Sequence, residues 1–170
     1  YCLNPKCKKP QNPDGAELCL NCSSKLLLKE RYQPIRFLGE GVCSRSFLAE
    51  DLQQRANAAC VIKQFAPMPQ IQGHPEAMAK VTQVFEQEAQ QLLDLQEQYP
   101  QISALFDFFE QDQYLYAIKY YIEGQNLLQE LQEQGAFNEH QVRELLYDVL
   151  PVLQVLHKRQ IVHRAIKPTN

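Results

Sequence analysis

A chain of 170 residues with 45% hydrophobic and 22% charged residues has enough apolar material for a buried core, which excludes a disordered polypeptide. Its formal net charge of -3 argues against binding to nucleic acid or an anionic membrane through bulk charge. No apolar run is long enough to span a bilayer and no export signal opens the chain, so a cytoplasmic setting is expected.

The six cysteines fall at positions 2, 7, 19, 22, 43 and 60, so four of them crowd the first 22 residues. The pairs Cys2/Cys7 and Cys19/Cys22 can each offer two thiolates to one tetrahedral ion, for which zinc is the natural occupant. Between them the turn formers Pro10 to Gly15 allow a ribbon to fold back on itself. So short a segment has little apolar surface, and a metal would supply most of its stability. Two disulfides are the alternative, disfavoured in a reducing compartment. Four thiolates and a dication would offset the local lysine excess, which weakens any case for DNA binding. The expected boundaries are 1–28 for this zinc ribbon and 32–170 for a second domain.

Ile35 to Ala49 reads as strand, glycine turn, strand. The spacing Gly39-x-Gly41 lets backbone N–H groups approach a phosphate, although G-x-G alone is a weak signal. The next strand, Ala58 to Phe65, aligns Val61, Lys63 and Phe65 on one face. A lysine in an apolar row needs an anion, unless it snorkels to water.

Pro67 to Pro75 is expected to be a loop with His74 at the surface, and a helix is expected from about Glu76 to Gln98. Its apolar stripe is Val81, Phe85, Leu92 and Leu95, with Glu88 filling the central slot. Glu88 and Lys63, each costly alone, would explain each other as an ion pair. Ile102 to Phe109 and Tyr114 to Ile122 read as a hairpin, with Lys119 on the same face as Leu115, Ala117 and Tyr121. Leu127 to Gln134 should be a short helix ended by Gly135. Asn138 should cap a longer one, with Gln141 at N3, a stripe of Val142, Leu145, Val149, Val152 and Leu156, and a kink at Pro151.

The chain closes on His163-Arg164-Ala165-Ile166-Lys167-Pro168-Thr169-Asn170, which resembles the protein-kinase catalytic loop H-R-D-x-K-P-x-N with alanine at the aspartate. With the glycine turn, the V-I-K strand, Glu88 and the hinge-like Tyr121-Ile122-Glu123-Gly124, the chain resembles a serine/threonine protein kinase from Tyr32 to Asn170. The four-Cys prefix resembles that ahead of some bacterial, cyanobacterial-type kinases. The resemblance implies an α+β fold, with a small lobe of five antiparallel strands and one helix, followed by the first helices of the large lobe. It implies ATP beneath Leu38, Gly39, Glu40, Gly41, Ser44 and Ser46, with Val61, Tyr121 and Ile122 around the base. It implies Lys63, held by Glu88, on the phosphates, Lys167 on the transferred phosphoryl group, Asn170 on Mg2+ and Cys2, Cys7, Cys19 and Cys22 on Zn2+.

Four positions depart from the family. Ser44 replaces a third glycine, Ser46 a valine, Lys119 the apolar or neutral residue at the back of the nucleotide pocket, and Ala165 the aspartate that accepts the substrate proton. Lys119 could compete with Lys63 for Glu88 or snorkel to solvent. Loss of a general base costs about 10²- to 10⁴-fold in rate, and no D-F-G segment follows, so this chain is expected to be catalytically impaired. Either an active kinase carries an Asp-to-Ala change and a truncation, or the chain is a natural pseudokinase; the retained Lys63, Glu88, Lys167 and Asn170 favour the first. A reading of another class makes the ribbon a protein-interaction scaffold. Expected partners are ATP and a protein substrate or signalling partner, with no nucleic acid. Cys43, whose one visible basic neighbour is Arg45, reads as an ordinary thiol rather than an oxidant sensor.

Overall fold

The computed structural model describes residues 1–41, 44–54, 58–66, 74–102 and 105–169. Cys43, most of the loop expected before the first helix, and Asn170 lie outside them. Five strands, β1 (Tyr32–Glu40), β2 (Ser44–Asp51), β3 (Ala58–Phe65), β4 (Leu105–Gln111) and β5 (Tyr114–Tyr120), form one sheet of order β1-β2-β3-β5-β4. Every neighbouring pair is antiparallel. The chain's contacts divide it into two units, Tyr1–Tyr121 and Ile122–Asn170. That division falls inside the expected hinge.

In the first unit the two-residue period of β3 decides which side chains meet which layer. Cys60 and Ile62 join Tyr32, Phe47, Ala49, Tyr116 and Ile118 in one core, and the amino-terminal segment covers it with Leu3 and Leu28. The Leu3 carbonyl accepts from Gln64 Nε2 at 3.1 Å, and that amide also donates to the Tyr116 hydroxyl at 3.0 Å. Gln64 is 3% exposed, so these bonds offset the cost of burying its amide. The Tyr1 nitrogen donates to the Pro34 carbonyl at 2.6 Å, and the Tyr1 ring lies 5.8 Å from that of Phe47. The four-Cys segment is thereby attached to the face of the sheet opposite Lys63.

The Lys63 face is covered by α1 (Pro75–Gln96), through a core of Ala89, Leu105 and Ala117 flanked by Phe65, Phe85, Leu93 and Phe108. Gln96 fixes the end of α1 to β4, its Nε2 donating to the Leu105 carbonyl at 2.6 Å and its Oε1 accepting from the Leu105 amide at 2.7 Å. The expected stripe needs one correction. Ala89, not Glu88, is the buried residue of that turn, and Glu88 is exposed. The stripe steps by four from Phe85 to Ala89, whose small side chain lets the helix approach the sheet closely.

The linker into β1 carries the strongest polar anchors. Arg31 grips Asp51 through Nε and Nη2 at 2.7 and 2.6 Å, and the Tyr32 hydroxyl donates to Asp107 at 2.6 Å. Lys29 Nζ meets both oxygens of Asp107 at 3.0 Å.

In the second unit α2 (Leu127–Gln134) and α3 (Glu139–Lys158) each begin with a full capping box, Asn126 with Gln129 and Asn138 with Gln141. Gly135 follows α2 at φ 83°, a left-handed conformation that favours glycine there. α3 continues through Pro151, whose missing N–H interrupts one bond of its ladder. Leu156 is buried and Leu145, Val149 and Val152 are half-buried, but Val142 is exposed, contrary to the expected stripe. Val142 stands in the first turn of α3, and no described residue of this unit forms a buried cluster over it.

Candidate functional site

Cys2, Cys7, Cys19 and Cys22 bring their sulfurs within 4.8 Å of one another. Cys2 lies 3.6 Å from Cys22, and Cys7 lies 3.6 Å from Cys19. Four thiolates at Zn–S distances of about 2.3 Å would stand about 3.8 Å apart in a tetrahedron, close to the two 3.6 Å separations, so this cluster is compatible with one ion. The Asn4, Asn12 and Asn21 amides donate to Cys22, Cys19 and Cys7, as they would to metal-bound thiolates. Burial pushes the Cys2 thiol up to about 12. At Cys19 burial acts in the same direction but is outweighed by the Asn21 and Cys22 backbone N–H groups and the Asn12 amide, which bring the thiol down to about 6.

The second candidate lies on the α1 side of the sheet. One cross-strand row runs Gly39, Ser46, Lys63 and Ala117 across β1, β2, β3 and β5. The glycine turn closes with the Gly41 amide donating to the Ser44 carbonyl at 2.7 Å. A Cβ on Gly39 would meet nothing within 4 Å, and on Gly41 only ordinary contacts near Ser44. Packing among the described residues therefore does not require glycine at position 39, and the open approach suits an external phosphate. Ser46 and Val61 are half-buried and Leu38 is exposed along this side.

Lys63 Nζ sits 5.2 Å from the centre of the Phe65 ring. Among the described residues, no ion pair joins Lys63 to Glu88. The expected partnership is therefore not made in this conformation, because Glu88 points off the face that α1 buries. Lys119, opposite Val61 in β5, shares the sheet face with Lys63. Burial holds the Lys119 amine below the usual lysine value, and the Lys63 charge lowers it further. At the end of β5 the Tyr121 amide donates to the Ala59 carbonyl at 3.5 Å, while Ile122 is exposed.

In the second unit His163 to Thr169 has no regular structure and is exposed, Ala165 and Lys167 included. Arg164 holds a left-handed φ of 59°, strained for a residue with a Cβ. The Ala165 amide donates to His163 Nδ1 at 3.4 Å, and the Pro168 carbonyl accepts from the Leu128 amide at 2.9 Å, so the segment is tied to the start of α2. Gln64, whose side chain holds the Leu3 carbonyl next to Cys2, was not marked in the sequence as a supporting residue. The legible signal was an amide in the apolar alternation Cys60, Ile62, Gln64.

The sequence model of the protein kinase domain matches residues 32–170. The chain is similar to serine/threonine-protein kinase B of Synechocystis sp., 36% identical over 170 residues, which is 100% of this chain and 29% of that protein. It is also similar to serine/threonine-protein kinase PknA of Nostoc sp., 39% identical over 144 residues, 85% of this chain and 25% of that protein. Serine/threonine-protein kinase PrkC of Bacillus subtilis is 29% identical over 140 residues, 82% of this chain and 20% of that protein. The chain thus spans less than a third of the length of these relatives. Among the described residues, no helix is long and apolar enough to cross a membrane. A five-stranded antiparallel sheet bearing one helix, with the lysine strand beside a glycine turn and a family match over residues 32–170, leaves one assignment: the chain belongs to the protein kinase domain family.

Proposed function

We propose that this chain is the nucleotide-binding lobe and catalytic-loop segment of a serine/threonine protein kinase, impaired in phosphoryl transfer by Ala165 and carrying a structural zinc ribbon. The observation that carries it is the row Gly39, Ser46, Lys63, which sets a glycine turn with open space above it beside a cation without a carboxylate partner among the described residues. ATP with Mg2+ would supply the transferable phosphoryl group. Leu38 to Ser46 would cover its phosphates, Val61 and the backbone of Tyr121 and Ile122 would hold the base, and Lys63 would neutralise phosphate charge. Glu88 would turn inward to orient Lys63 when nucleotide is present. Lys167 would steady the transferred group and Asn170 a Mg2+ ion. Ala165 supplies no group to accept the hydroxyl proton. Cys2, Cys7, Cys19 and Cys22 would hold Zn2+, and a protein is the expected phosphoryl acceptor.

The test is a titration with MgATP, followed by phosphotransfer in a polypeptide extended through the rest of the large lobe. MgATP should bind the chain, and Lys63→Met should abolish most of that binding. Ala165→Asp should raise transfer by about 10²- to 10⁴-fold. Absence of MgATP binding would overturn the kinase reading, and binding without any gain from Ala165→Asp would favour a pseudokinase.

A further inference from the structure

We propose that Lys119 is a second phosphate-holding residue, acting with Lys63 on the polyphosphate chain of the nucleotide, an inference that rests on the nucleotide-binding reading above. Lys63 lies opposite Ala117, and Lys119 lies opposite Val61, so the two lysines are diagonal neighbours on one face of β3 and β5. Diagonal positions in an antiparallel pair are about 7–8 Å apart, well within the joint reach of two lysine side chains towards one anion. On its other side Lys119 faces Leu105, which is fully buried, so apolar residues flank the amine on both neighbouring strands.

Among the described residues, neither lysine has a carboxylate within ion-pair distance. Glu88, the nearest candidate by family pattern, is exposed on α1. Two ammonium groups sharing a sheet face without a counter-charge repel each other, and each gives up part of its hydration. The held-down proton affinity of Lys119 has these two causes, burial first and Lys63 second. A di- or triphosphate offers both amines the charge they lack, and it enters from the side on which Gly39 leaves open space. A lysine placed only to fill the back of the sheet would be served as well by methionine, with no repulsion to offset.

The test uses the 170-residue chain with Lys119→Met, Lys119→Arg and Lys63→Met, titrated with MgATP, adenosine and inorganic tripolyphosphate. Lys119→Met should weaken MgATP and tripolyphosphate by about tenfold and leave adenosine unchanged, while Lys119→Arg keeps both anions within about threefold. Thermal melts of the variants separate lost binding from lost folding. If Lys63→Met weakens MgATP but Lys119→Met does not, the nucleotide site stands and the role of Lys119 is overturned. If tripolyphosphate binds with dependence on both lysines but adenosine adds nothing, the anion site stands and the nucleotide reading fails. Failure of all three ligands to bind the unaltered chain overturns both.

Discussion

If Cys2, Cys7, Cys19 and Cys22 hold a metal ion as proposed, chelating it should destabilise the sheet as well as the four-Cys segment. The four-Cys segment reaches the sheet through Leu3, 8% exposed and adjacent to Cys2, in the same core as Phe47, Ile62 and Ile118. Undocking it exposes one leucine, worth about 1.5–3 kcal/mol. It also removes one of the two acceptors of the Gln64 amide, which is 3% exposed, and a buried N–H left without its partner costs about 1–3 kcal/mol more. The sum, about 3–6 kcal/mol, corresponds to a fall in melting temperature on the order of 10–20 °C. The assay is a melt followed by tyrosine circular dichroism before and after treatment with a chromophoric chelator that reports metal release. Gln64→Leu should reproduce part of the fall with metal still bound. Complete metal release with a melting temperature unchanged within about 2 °C would refute the coupling.

Two further outcomes follow from the polar anchors and caps. Arg31→Met should cost about 3 kcal/mol in urea unfolding, because it strips the main partner from Asp51, which is 0% exposed. The Arg31 hydrogen bonds hold the Asp51 carboxyl below its usual value, so its contribution is complete above about pH 4 and is lost as pH falls through the folded-state value. Arg31→Met should accordingly flatten the acid limb of the stability profile, and an unchanged limb would refute the assignment. Asn138→Ala should cost about 1 kcal/mol by removing the bond to the Gln141 amide, measured as lost helical signal and a lower urea midpoint.

What was legible in the sequence was local. β3 spans Ala58–Phe65 as its alternation predicts, and the caps at Asn138 and Gly135 stand where the residue types place them. The ribbon's attachment was not legible, since Leu3 and Gln64 are 61 residues apart and nothing local to either marks the other. The misplaced stripe of α1 has a different origin. Alanine carries little weight in an apolar period, so the heptad-like steps through position 88 outscored the true step to Ala89, and Glu88 was assigned to a face it does not occupy. At the second candidate site, residue types and order were legible, but the register that aligns Gly39, Ser46 and Lys63 in one row came from strand pairing.

Features that cost stability without helping the fold separate a working site from a scaffold. Lys63 and Lys119 share a sheet face without a carboxylate among the described residues, although methionine at either position would pack there with no charge to desolvate. Arg164 holds a left-handed backbone that costs on the order of 1–3 kcal/mol. The charge cost at Lys63 and Lys119 would be recovered if a nucleotide bound, because phosphate oxygens would then satisfy both cations. A chain serving purely as a ribbon-bearing scaffold would gain by losing all three features. Ala165 carries no such cost, so on the proposed kinase reading the missing proton acceptor is a single side-chain difference within the segment that resembles the catalytic loop.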